Sequence, residues 1–180
     1  MHALKIGIAI IWAVFWIGWL AAAFTAKQST NRRGFLGPRG IAAVGVVLLV
    51  RGVGGRSLAI HSLAIGIVGA VLFLLGIALA IWARVILGRN WGMPMTQRAE
   101  PELVTAGPYN VVRHPIYSGI LLGMLGTSLA ISLIGLGITL ILGIFFTYSA
   151  TVEERNLTAT FPSAYPAYRA RTKMLIPFLL

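Results

Sequence analysis

Cysteine and aspartate are both absent from the 180 residues, and the only acidic side chains are four glutamates, set against 15 Lys and Arg. Without cysteine there is no disulfide, no thiolate metal site and no cysteine nucleophile, and no metal centre is expected. Charge is scarce as a whole: 11% of residues carry it, against roughly 25% in soluble globular domains, while 58% are hydrophobic. That balance excludes an ordinary water-soluble domain and makes a bilayer the expected solvent. In a soluble protein the basic excess would suggest nucleic acid. Here the basic residues lie between apolar runs, where positive-inside topology and anionic lipid head groups account for them, so no nucleic-acid partner is expected.

What is abundant is apolar sequence long enough to cross a membrane. The run from Leu4 to Phe24 would span roughly 30 Å as a helix, about the thickness of the hydrocarbon core. A secretory signal competes for it, with Lys5 before the run and Ala21-Ala22-Ala23 near its end, but its length and its Trp12, Trp16 and Trp19 favour a span. A basic stretch with Lys27, Arg32, Arg33, Pro38 and Arg39 follows, then a short second span, Gly40 to Val53, with Arg51 snorkelling at its far end. The third span is Leu63 to Leu87, and His61 just before it is expected at the interface. Ile116 to Ala150 is interrupted by a polar dip at Ser128 to Ser132, which predicts two helices joined by a tight turn, the first of them short. The tail from Thr151 onward is amphipathic and aromatic and is expected to fold back on the face where it emerges.

The expected fold is therefore all-α, a polytopic membrane bundle of about five transmembrane helices. It forms one membrane domain over residues 1–180, with N-terminal helices in 1–86 and a distinct half in 87–180. With five spans, every Lys and Arg except Lys5, Arg51 and Arg56 falls on one side. By the positive-inside rule the N-terminus is outside and the C-terminus cytosolic, the expected membrane being a prokaryotic plasma membrane. All four glutamates, Glu100, Glu102, Glu153 and Glu154, share that cytosolic side.

The most informative stretch lies there too. Gly107-Pro108 breaks any helix, and Pro115 suits a first helical position, where its missing N–H would have been unpaired anyway. The amides that follow open a helix N-terminus able to face an anion. Arg113 offers a planar fork for a carboxylate, and Tyr117, about one turn in, can add a hydroxyl. Glu153 and Glu154 return on the same side and can accept from ribose hydroxyls or an ammonium group. A cationic and an anionic anchor together suit a zwitterionic nucleoside ligand.

Five ordered motifs carry a family resemblance: Leu87-Gly88-Arg89-Asn90-Trp91; Leu103-Val104 with Gly107-Pro108-Tyr109; Val112-Arg113-His114-Pro115 with Tyr117 and Gly119; Glu153-Glu154 with Leu157; and Phe161, Tyr165, Tyr168 and Arg171 with Ile176-Pro177. This half of the chain resembles the isoprenylcysteine carboxyl methyltransferases and their phospholipid methyltransferase relatives. The resemblance implies S-adenosyl-L-methionine as cofactor, S-adenosyl-L-homocysteine as product, and a lipophilic or lipidated acceptor reached from the membrane lipids. Carried over by position, Val104, Gly107, Tyr109, Arg113, His114, Tyr117, Glu153 and Glu154 would line the cofactor pocket. Arg113, Glu154 and Arg171 would serve the reaction, the arginines by orienting a carboxylate or the substrate. A carboxylate acceptor needs no general base; an amine or thiol would need a proton sink, for which His114 or Glu154 is the nearest candidate. Thr172-Lys173 departs from the Val-Pro that relatives often carry after the arginine.

Blander readings stand beside these. His114-Pro115 can be a plain helix start, Glu153-Glu154 an interfacial helix end, and Gly119, Gly123 and Gly126 are expected to serve helix packing. Trp82 and Trp91 are read as interface anchors, Arg32, Arg33 and Arg39 as topology signals, and Met93 and Met95 have no argued role. Two other functions compete: a nicotinamide-dependent membrane reductase of the sterol type, and a non-catalytic membrane protein. Ile116-Tyr117-Ser118-Gly119-Ile120 lacks the Asn before Tyr and the acid after Gly of the reductases, which favours the methyltransferase.

Overall fold

A computed structural model describes residues 2–23, 58–91 and 102–177. The proposed second span, the basic stretch before it, Met93, Met95 and Glu100 lie outside those residues. Among the described residues five α-helices form: α1 (His2–Ala23), α2 (Leu63–Leu87), α3 (Pro115–Ile131), α4 (Ile134–Thr160) and the short α5 (Ala164–Arg171). Among the described residues the only extended pairings are two isolated bridges, Ala59 with Ser132 and Val112 with Lys173. By length and apolarity α1, α2 and α4 can each cross a membrane, and α3 is a shorter apolar helix.

Local chemistry sets the helix limits. Ser62 caps α2, its hydroxyl accepting from the Ile65 amide at 3.5 Å, and Gly88, at φ 54°, closes it in a conformation that favours glycine. Arg84 donates to the Gly88 carbonyl at 2.7 Å and lays its guanidinium 4.6 Å from the centre of the Trp91 ring. Pro115 opens α3 as its first residue. The hairpin turns at Ser132-Leu133, where Leu133 N–H donates to Leu58 and Ile60 N–H to Ile131, clipping the chain before α2 onto the turn. The second arm differs from expectation: α4 continues to Thr160, ten residues past Ala150, so Glu153 and Glu154 are helical rather than part of a tail. Rising about 1.5 Å per residue, this 27-residue helix overshoots the 17-residue α3 beside it. Its last turns thus stand level with the segment preceding α3.

Helices α2 and α3 approach at backbone contact. A Cβ added at Gly69 would lie 2.6 Å from the Ala130 nitrogen, and one at Gly119 2.6 Å from the Ala80 nitrogen; at Gly76 and Gly126 it would overlap the backbone of Gly123 and Phe73. Small residues allow this approach, which maximises dispersion where lipid tails leave no hydrophobic drive between helices. Opposite, α1 lays Trp12 over Gly123 and donates its indole N–H to Thr127 at 3.0 Å. An aromatic chain runs from Trp12 through Phe15 and Trp19 to Trp91. Trp82 is exposed as an interface anchor would be, but Trp91 is only 5% exposed. The anchor reading of Trp91 gives way because Arg84 and Trp19 enclose it. The outward faces are apolar, with Val85 70% and Leu140 67% exposed, as lipid contact requires.

Candidate functional site

The site grows from a turn and a strap. Gly107, at φ 59° and packed beside Ile86, lets the chain enter the tight turn Gly107–Asn110, which buries Pro108 and Tyr109. The next residues are held from the other side by the tail. Lys173 N–H donates to Val111 at 3.2 Å, Arg113 N–H to Lys173 at 2.8 Å and His114 N–H to Met174 at 3.1 Å. Ser118 adds its hydroxyl to the Leu175 carbonyl at 2.5 Å, and the Tyr168 hydroxyl donates to the Tyr109 carbonyl at 2.7 Å. The departure at Thr172-Lys173 thereby acquires a structural consequence. Lys173 contributes an N–H that proline lacks, and buried Thr172 donates its hydroxyl to the Tyr168 carbonyl at 2.8 Å.

The charged side chains meet where this strapped segment faces the end of α4. Arg113 Nε donates to Glu154 Oε1 at 2.7 Å, both side chains being over nine-tenths buried. Its Nη1 donates to the Thr172 carbonyl at 2.5 Å and to that of Arg169 at 3.4 Å. His114 lies between the two acids, Nδ1 3.4 Å from Glu153 and Nε2 3.5 Å from Glu154. Tyr117 donates its hydroxyl to Glu153 at 2.5 Å. Arg169, 60% exposed, reaches Glu154 Oε2 at 3.5 Å. The His114, Tyr117 and Phe146 rings stack in sequence, with centroids 5.5 and 4.5 Å apart and both interplanar angles 6°. Burial alone would lower the His114 pKa, but the Glu153 and Glu154 carboxylates outweigh it and hold the group above its ordinary value. Burial pushes the Tyr109 phenol up and that of Tyr168 up to about 12.

Five of the residues singled out in the sequence, Arg113, His114, Tyr117, Glu153 and Glu154, come together in this clasp. Tyr109 is buried behind it, offering its carbonyl rather than its phenol. Val104 packs against the apolar core, and Gly107 acts as a turn. Arg171 is exposed, its guanidinium 5.8 Å from the Tyr168 ring centre. Sequence reasoning gave no site role to Arg169, Thr172, Ser118 and Phe146. Only Phe146 left a readable signal: it precedes Glu153 by two helical turns and so shares its face.

Chemically, the arrangement offers both signs of charge at a helix N-terminus. The Ile116 and Tyr117 amides have no intrahelical acceptor at the start of α3, and Arg113 Nη2 has no protein partner among the described residues. No group of three or more His, Cys, Asp or Glu able to hold a metal occurs among the described residues.

The sequence profile of the phospholipid methyltransferase family matches residues 64–164. The cobalt-zinc-cadmium resistance protein CzcN of Cupriavidus metallidurans is 34% identical over 59% of this chain and 48% of its own length. Protein-S-isoprenylcysteine O-methyltransferase B of Arabidopsis thaliana is 30% identical over 62% of this chain and 58% of its own. The chain thus spans about half the length of curated relatives it matches. The solved structure of a eukaryotic intramembrane Ras methyltransferase, an isoprenylcysteine carboxyl methyltransferase, superposes with TM-score 0.69 at 25% identity, covering 97% of this chain and 68% of that one. With its apolar helices and this fold, the protein is an integral membrane protein. The chain belongs to the phospholipid methyltransferase family, and within it resembles the isoprenylcysteine carboxyl methyltransferases in both sequence and fold.

Proposed function

We propose that the protein transfers a methyl group from S-adenosylmethionine to a lipophilic or lipidated acceptor at the cytosolic face of a membrane, an isoprenylcysteine-type carboxylate being the acceptor class. The clasp of Arg113, His114, Tyr117, Glu153 and Glu154 beside a membrane span is the observation that carries this reading. Orientation with the C-terminus cytosolic rests on the asymmetry of Lys and Arg along the chain. A prokaryotic plasma membrane accords with the bacterial relative.

The residues present fit such a cofactor. Arg113 Nη2 and the first amides of α3 suit its carboxylate, while Glu153 and Glu154 suit its ammonium or ribose hydroxyls. When bound, its sulfonium supplies an electrophilic methyl group for in-line displacement. The protein's part is positioning and exclusion of water. Arg113 neutralises Glu154 and fastens the tail, so the carboxylate stays oriented. The two acids raise the His114 pKa, which favours the imidazolium; in that form it offsets their charge and cannot take a proton, so an acceptor that arrives deprotonated suits the site. The stacked Tyr117 and Phe146 rings give the clasp an apolar flank.

Calorimetry on the purified protein in detergent tests this. Tight binding of S-adenosylhomocysteine with no affinity for NADPH is expected, and the reverse pattern would establish a reductase instead. Glu153→Ala and Arg113→Ala should each abolish that binding; wild-type affinity in both would sink the pocket assignment.

A further inference from the structure

Two phenols of α5 point into the fold and meet opposite fates. Tyr168 is satisfied, its hydroxyl donating to the Tyr109 carbonyl. Tyr165, one turn earlier with its ring 5.9 Å from that of Tyr168, is 0% exposed, yet its hydroxyl has no hydrogen-bond partner among the described residues. Burying a hydroxyl without a partner destabilises a fold, and phenylalanine would fill the same volume without that penalty. Packing therefore accounts for the ring and leaves the oxygen unexplained.

Its surroundings point to a ligand. Arg113 Nη1 reaches the carbonyl of Arg169, one turn further along the helix that carries Tyr165, and the phenol lies in the field of Glu154 and Arg113, the central pair of the clasp. Arg113 has spent Nε on Glu154 and Nη1 on the tail carbonyls, and among the described residues no protein acceptor takes Nη2. Two unspent donors thus lie beside the Arg113–Glu154 pair, and His114 Nε2, 3.5 Å from Glu154, also lacks a hydrogen bond among the described residues; donors in excess suit an oxyanion rather than a cation. We propose that the Tyr165 hydroxyl is a ligand-binding group of this site, donating alongside Arg113 Nη2 to a carboxylate oxygen of a bound small molecule. The inference rests on the methyltransferase reading, under which that carboxylate belongs either to the amino-acid end of the methyl donor or to the acceptor. Burial raises the phenol pKa, so the hydroxyl keeps its proton to donate.

Full-length wild type, Tyr165→Phe and Tyr168→Phe in detergent decide the matter. Without ligand, Tyr165→Phe should melt at or above wild type, since it removes an unsatisfied group, whereas Tyr168→Phe should melt lower because it orphans a buried carbonyl. If the carboxylate is the donor's, Tyr165→Phe binds S-adenosylhomocysteine about tenfold more weakly and its decarboxylated analogue as wild type does. If it is the acceptor's, S-adenosylhomocysteine binding is unchanged and KM for N-acetyl-S-farnesylcysteine rises about tenfold. A Tyr165→Phe protein that melts below wild type, or that matches wild type in both affinity and KM, overturns the inference. A wild type that binds no S-adenosylhomocysteine defeats the methyltransferase reading itself, a distinct outcome.

Discussion

Along its length α3 meets α2 through backbone, at Gly119, Gly126 and Ala130; at its N-terminal end it meets α4 through charge, at Arg113, His114 and Tyr117 facing Glu153 and Glu154. The first joint is a seam in which nothing can titrate and nothing fits but the partner helix. Its rigidity comes from shape, and the approach leaves no room even for a methyl group. The second joint relies on a few buried charges whose mutual attraction is strong only while each keeps its partner. The seam holds a platform still, and the clasp on that platform is the part able to exchange a protein partner for a ligand.

The largest effects should come from breaking the seam. Gly76→Leu or Gly126→Leu would force the α2 and α3 backbones apart, an overpacking cost of about 3 kcal/mol with no side chain able to yield. We expect neither variant to give monodisperse protein in detergent by size-exclusion chromatography, whereas Gly137→Leu, with open space around it, should behave as wild type. Equal yields from all three would mean that the close packing does not determine stability.

Charge substitutions at the clasp come next. Glu154→Gln leaves Arg113 buried beside a neutral amide, at a cost of about 3 to 5 kcal/mol. A lower melting temperature and lost S-adenosylhomocysteine binding are expected. Arg169→Gln removes a mostly exposed partner 3.5 Å away and should change melting little. If the two variants melt alike, Glu154 is not held mainly by Arg113.

Acidity separates the joints more gently. His114 faces Glu153 and Glu154 from α4, with Arg113 next to it in sequence and Tyr117 one turn on. Its folded pKa lies above its unfolded value, so its stabilising contribution is complete below about pH 6.5 and declines as pH rises through the folded value, by at most about 1.4 kcal/mol per unit. Melting temperature should therefore fall with rising pH over that window, and His114→Gln should flatten the profile. An unchanged slope in the variant would assign the effect elsewhere.

The two joints also differed in how far the sequence revealed them. Helix α2 was bounded correctly at Leu63 and Leu87, because apolar length and a flanking glycine are local properties, and Gly119, Gly123 and Gly126 were read as packing residues from their spacing. The continuation of α4 to Thr160 was missed, since a polar helical turn beyond the bilayer loses the hydropathy signal that marked its start. In the clasp, Arg113 and the glutamates were legible from residue type and motif order, but their pairing spans 41 positions and leaves no period to read. Arg169 and Thr172 act partly through backbone carbonyls, which every residue possesses, so nothing in their identity announced the role.

The smallest expected effect bears on Arg171, which the motif order marked for the reaction and the fold leaves exposed beside Tyr168. An exposed guanidinium near a ring contributes about 0.5 to 1 kcal/mol, so Arg171→Ala should shift melting by only a degree or two. Its consequence for turnover depends on where the acceptor's carboxylate lies. If Arg171 orients that carboxylate, the substitution raises KM for N-acetyl-S-farnesylcysteine while S-adenosylhomocysteine affinity stays put, because Arg171 makes no ion pair within the clasp. If KM is unchanged, the clasp and the strap are sufficient, and Arg171 belongs with the basic residues that set the protein's orientation in the membrane.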